Sequence, residues 1–202
     1  MIVGIDFSIN STALAIKVGN KPILFSFVPN YKEGKAAFKI HDAFKGIITT
    51  IGYEKESTSK DSIEDQCIKL RNADRLSDEI LTIFKILGID EGITEIRIEG
   101  FSYASKGNSF IDLITFNTYL KVKLIQKFGH IIKVVPPKTL KKAYTGNGNA
   151  SKCDMVRHFM NSSTDELQKK IEGLNIVKEE EFTIPKPLDD IIDAIGLTSI
   201  WE

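Results

Sequence analysis

The stretch GIDFSINSTALAIKVGNKPILFSFV, residues 4–28, decides how the chain reads. Met1 to Asp6 is a short apolar run suited to a buried central strand, and it ends on a carboxylate. TALAIKV at 12–18 and PILFSFV at 22–28 are two further strand-like runs, and Gly19-Asn20 between them is a hairpin signal. The opening therefore predicts three antiparallel strands in a meander, with Asp6 at the end of the first.

Downstream the pattern changes. Residues 29–60 contain Phe38, Phe44, Ile47, Ile48 and Ile51, which suit a helix or a strand pair, followed by the polar connector YEKESTSKDS at 53–62. From Ser62 to about Leu87, Ile63, Leu70, Ile80, Leu81, Phe84 and Leu87 recur at helical spacing. ITEIRIEG at 93–100 alternates as a strand finishing at Glu99. A second amphipathic helix is expected over 109–128, a strand over 131–135 stopped by Pro136-Pro137, and then a short basic helix. TGNGNA at 145–150 is a glycine-punctuated loop. Ser151 with Asp154 forms a capping-box pattern for the next helix. Residues 162–186 read as a polar helix and connector, and a last helix starts near Pro187. This order predicts an α/β fold, a mixed five-stranded sheet flanked by helices.

The 202 residues suit one domain, with a probable insertion around 29–72. The start lacks the basic region of a secretory leader, and no apolar run is long enough to span a membrane, so a cytoplasmic protein is expected. Cys67 and Cys153 fit no ligand spacing and no disulfide framework. The 27 basic and 27 acidic residues cancel overall but not locally. Between Tyr119 and Phe159 nine basic residues face the single acid Asp154, whereas residues 160–202 hold four basic and ten acidic residues. A one-sided basic segment can steer a polyanion, although lysines that merely solvate helix faces produce the same count.

Three acidic features stand where burial would be costly. Asp6 ends the first strand and Glu99 the fourth. Asp190 and Asp193, three apart, project from one face of the last helix. Asp189 is better placed to cap that helix. Gathered carboxylates repel one another unless a proton or a divalent cation neutralises them, and an oxygen-only set suits magnesium or manganese.

With these residues in view, the chain resembles the RuvC-like Holliday-junction resolvases of the RNase H-like superfamily, particularly the versions found in bacteriophages. The likeness rests on GIDFSINSTALAI at 4–16, ADRLSDEILTIFKILGIDEGITEIRIEGFSYASKGNS at 73–109, VVPPKTLKKAYTGNGNASKCDM at 134–155 and PLDDIIDAIGL at 187–197. It leaves out roughly residues 29–72 and 160–186. The resemblance implies that Asp6, Glu99, Asp190 and Asp193 are the catalytic acids and hold two magnesium ions, for which manganese can substitute. Asp6 would bridge the ions. It further implies DNA-facing roles for Lys138, Lys141, Lys142 and Lys152 and for Gly146 and Gly148 of the loop. Phe101 or Tyr103 would be an aromatic wedge at the junction centre.

The implied activity is hydrolysis of a phosphodiester in four-way DNA by a homodimer. A nuclease for forks or flaps, or a non-catalytic DNA-binding relative, are the alternatives. GIDFSINST also resembles the first phosphate loop of sugar and acetate kinases, but those enzymes use two such domains and this chain holds one. Phe7-Ser8 departs from the Pro-Gly of the bacterial pattern.

Overall fold

The computed structural model describes every residue except 9, 20, 102–107, 164, 178–181 and 201–202; for residues 108–112 it describes the backbone alone. Strands β1 (Ile2–Asp6), β2 (Thr12–Val18) and β3 (Lys21–Pro29) form the antiparallel meander. A short helix α1 (Lys39–Ala43) leads to β4 (Ile48–Tyr53), and a long helix α2 (Ser62–Ile86) to β5 (Glu95–Glu99). Helix α3 (Asn108–Phe128), β6 (Ile132–Val135), α4 (Pro137–Thr145), α5 (Lys152–Ser162), α6 (Glu166–Gly173) and α7 (Leu188–Ser199) complete the chain.

The sheet has six strands in the order β4-β3-β2-β1-β5-β6, not the expected five. The extra strand comes from ITTIGY, inside the stretch whose pattern suited either helix or strand. It pairs in parallel with β3 and buries Ile48 and Tyr53 on opposite faces of the sheet. β5 and β6 run parallel to β1 on its other side.

Alternation along the strands divides the core in two. Val3, Ile5, Leu14, Ile16, Ile96 and Ile98 face α2 and α3, packing on Leu76, Ile80, Phe84, Phe116 and Leu120. On the other face Ala13, Ala15 and Leu24 meet α4, α5 and α7 through Leu140, Met155, Phe159, Leu188, Ile191 and Ile195. Burial of these side chains supplies the main driving force for the fold.

Parity on β1 then matters for the site. Val3 and Ile5 point to one face, so Gly4 and Asp6 point to the other, where α7 lies. A Cβ at residue 4 would collide with the Ala194 carbonyl and approach Leu197 Cβ to 2.9 Å. Only glycine lets α7 settle this close to the central strand.

Candidate active site

β1 and β5 are parallel neighbours, with Gly4 opposite Arg97 and Ile5 opposite Ile98. One step further along, Asp6 and Glu99 leave the carboxyl ends of the two strands side by side. Helix α7 brings Asp190 and Asp193 over the same end. The four acids that the sequence singles out therefore converge.

Their electrostatics report that convergence. Burial first, and then the charges of Glu99, Asp190 and Asp193, raise the Asp6 carboxyl well above its ordinary range. Burial also raises Glu99, while a hydrogen bond shared with Asp6 and the charges of Lys141 and Lys152 oppose that rise. Asp193 is pushed up to about 7, by burial and then by Glu99. Asp190 is raised by burial and by Asp189, against the pull of Lys186 and Ser11.

Asp189 does not cap α7, contrary to the sequence expectation. The helix starts at Leu188, two residues before an Asp189 cap would place it, with Pro187 at the cap position and no side-chain cap bond. Asp189 sits inside the first turn, nearly buried, and its Oδ2 accepts from both Lys152 and Lys186. Burial alone would raise its carboxyl, but the two ammonium groups prevail and hold it below the ordinary range.

Among the described residues, no three acidic, histidine or cysteine side chains already form a closed metal-binding group. Lysine ammonium groups pair with Asp189 and Asp190 instead. The donor set nonetheless fits a hard divalent cation, because it offers only carboxylate oxygens, gathered in a buried place that strongly disfavours their charge. Asp189 Oδ1, buried and without a hydrogen-bond partner, adds to the unmet demand for positive charge there.

The basic elements stand beside this cluster. Lys138, Lys141 and Lys142 lie on α4, and Lys138 and Lys142 line an open cleft with Thr139, Gly148 and Asn149. Gly146 ends α4 in the left-handed region at φ +82°, and its N–H is committed to the Lys142 carbonyl. Asn147, Asn149 and Ala150 also donate within the loop, to Thr145 Oγ1, Asn147 Oδ1 and the Asn147 carbonyl. The loop is thus a tight turn in which the N–H groups of Gly146, Asn147, Asn149 and Ala150 are engaged internally. The expected capping box of Ser151 and Asp154 opens α5 and sets Lys152 at its first position. Phe101, just past Glu99, is half-buried, with Lys121 Nζ 4.6 Å from its ring centroid. Tyr103 lies outside the described residues.

Sequence reasoning missed three participants. Ser11 Oγ donates to Asp190 Oδ2 from the hydroxyl-rich turn after β1. Lys186 pairs with both Asp189 and Asp190, a contact that its position four residues before Asp190 could have suggested. His41 of α1 is buried, its Nδ1 lacks a partner, and it lies within electrostatic reach of Asp190. Nothing in the sequence pointed to it.

The site thus sets acids at the ends of two adjacent parallel strands, faced by an acidic helix, on a sheet that opens with an antiparallel meander. The fold is shared with the Thermus thermophilus RuvC structure at a TM-score of 0.50 and 12% identity, over 98% of this chain and 90% of that one. The crossover junction endodeoxyribonuclease RuvC of Helicobacter hepaticus is 34% identical over 152 residues, spanning 73% of this chain and 71% of its own length. The enzyme of that name from Aliarcobacter butzleri is 29% identical over 129 residues, covering 61% of this chain and 79% of the relative. No protein-family model matches. The chain belongs to the RuvC family.

Proposed function

We propose that the protein is a crossover junction endodeoxyribonuclease, cutting four-way DNA by metal-dependent phosphodiester hydrolysis. The observation that carries this reading is the mutual charging cost of Asp6, Glu99, Asp190 and Asp193, four acids brought to one place from three elements. Asp6, between Glu99 on one side and α7 on the other, would be a central ligand for the magnesium ions. Glu99 and Asp193 would each hold one, with Asp190 completing the set and manganese an acceptable substitute. Held by these acids, the metal would supply activation of a water and stabilisation of the leaving 3′ oxygen.

The chain's own residues do the positioning. Lys138, Lys141, Lys142 and Lys152 hold backbone phosphates, which orients the duplex arms without reading bases. Gly146 and Gly148 shape the turn that presents them. Phe101, or Tyr103 beyond it, is the aromatic offered to unstacked bases. We read residues 1–202 as one nuclease domain with an addition around 29–72, acting as a homodimer because two strands of a junction are cut symmetrically. Among the described residues no helix is long and apolar enough to cross a membrane. A cytoplasmic site of action, in the host if the gene is a phage's, suits the DNA substrate.

The test compares four-way junction, flap and linear duplex DNA, each with magnesium, manganese or chelator. Symmetric, metal-dependent nicking of the junction is expected. Preferential cleavage of flaps would move the substrate to other branched DNA, and activity in chelator would overturn the metal site.

A further inference from the structure

The acid cluster carries its own cation. Lys186 stands just before α7, its Nζ 3.0 Å from Asp189 Oδ2 and also paired with Asp190 Oδ1. The remaining oxygen of Asp190, Oδ2, accepts from Ser11. Both oxygens of Asp190 are therefore committed, although this residue belongs to the set assigned to metal. The two partners differ in freedom. The Lys186 side chain is 51% exposed and that of Asp190 is 6% exposed, so the ammonium can swing out whereas the carboxylate stays. Lys152 differs again, since its ammonium pairs with Asp189.

We propose that Lys186 is a positioning residue that neutralises Asp190 in the metal-free protein and competes with the divalent cation for Asp190 Oδ1. This deepens the metal-site reading above and rests on it. The physical reason is the crowding of Asp189, Asp190 and Asp193 within little more than one helical turn, where like charges within one turn destabilise a helix. An ammonium on a flexible four-carbon stem is a point charge able to occupy a cation's place and to leave it. Ser11, a neutral donor on a tight turn, keeps Asp190 oriented whether or not the lysine is present.

The test is calorimetric titration of the DNA-free protein with Mn2+, using wild type, Lys186→Gln, Lys186→Arg and Asp190→Asn. Losing a half-exposed ion pair corresponds to about fivefold tighter Mn2+ binding in Lys186→Gln. Lys186→Arg, which keeps the charge, should return binding toward the wild-type value. In chelator the Gln variant should melt below wild type, and saturating Mn2+ should raise its melting temperature by more than it raises that of wild type. Unchanged or weaker Mn2+ binding by Lys186→Gln overturns the proposal while leaving the metal site standing. Wild-type protein that binds no Mn2+, or an Asp190→Asn variant that binds it as wild type does, overturns the metal-site reading and this proposal with it.

Discussion

Gly4 of β1 lies directly beneath Ala194 of α7, with no space for a side chain between strand and helix. Asp6 is two residues along that strand and Asp193 one residue back along that helix, so this single approach sets the distance between the acids. Gly4→Ala should force α7 outward. Overpacking of this kind costs about 1–3 kcal/mol. A displacement of about 1 Å at reacting groups can cost on the order of a hundredfold in rate. Urea unfolding and junction cleavage should therefore diverge, with a modest loss of stability and a severe loss of activity. Wild-type cleavage by a stably folded Gly4→Ala would show that the acids tolerate a shifted helix.

Asp6→Asn should abolish cleavage while leaving junction binding near the wild-type level. The change keeps the side chain's shape and removes its charge from the most crowded point of the cluster. In chelator the variant should melt above wild type, since a repelling buried acid has been removed. Cleavage at the wild-type rate would remove Asp6 from the site.

The metal-free protein should lose stability as pH rises toward neutrality. Asp193 titrates at about 7 in the folded protein. In the unfolded chain an aspartate titrates near its ordinary value of about 3.9. Between these values the folded state holds a proton that the unfolded state has released, so stability falls as pH increases through that window. The raised carboxyls of Asp6, Glu99 and Asp190 act in the same direction. Melting in chelator should drop from about pH 5 to about pH 8, and Asp193→Asn should flatten part of that slope. An identical slope in the variant would count against the assignment.

Lys141 should contribute to DNA binding through phosphate contact alone. Replacing it by Ala should flatten the salt dependence of junction binding by about one unit of log–log slope, equally for junctions of different sequence. Lys169 and Lys170 of α6, outside the basic segment, should change it little. Lys152 carries a complication that sequence did not show, because its ammonium is also tied to Asp189. Lys152→Ala should thus alter both the salt slope and metal affinity, while Lys141→Ala alters the first more strongly. Equal, negligible effects at all four lysines would return the segment to ordinary helix solvation.

Much of this was legible in the chain because the periodicities were local. Alternation in β1–β3 and the ends of α2 and α5 followed from hairpin, helical and capping signals a few residues long. The fates of ITTIGY and Asp189 were not legible in the same way. ITTIGY becomes a strand only because β3 offers a parallel edge, a partner about twenty residues upstream. Asp189 looks like a cap in sequence, yet lysines from α5 and from the loop before α7 draw it into the first turn instead. His41 reaches the site from the 29–72 stretch, which the family motifs do not cover. Each depends on contacts between distant segments, which spacing within one segment does not encode.

Arg97 supplies the last prediction. It leaves β5 on the same face as Glu99, two residues earlier, and is 3% exposed. Its Nη1 donates to the carbonyls of Leu197 and Ile200, at 2.8 and 2.5 Å, while Nε pairs with Glu95. The terminal carbonyls of α7, which have no partner within the helix, are thereby tied to the strand that carries Glu99. Gly4 fixes how close α7 comes to the sheet, and Arg97 fixes where along β5 it ends. Arg97→Met preserves much of the bulk but leaves two carbonyls without their donor and Glu95 with Lys133 as its remaining cation, at a cost of about 1–3 kcal/mol. Studied at a temperature where the variant remains folded, Mn2+ affinity should fall along with cleavage, because Asp190 and Asp193 are no longer held in step with Glu99. Junction binding, proposed to use lysines of α4 and α5, should fall much less. Arg97→Lys, able to keep one carbonyl and Glu95 but not the full fork, should lie between wild type and Met. If Arg97→Met is destabilised but binds Mn2+ as wild type does, the apolar contacts of α7 alone place the acids.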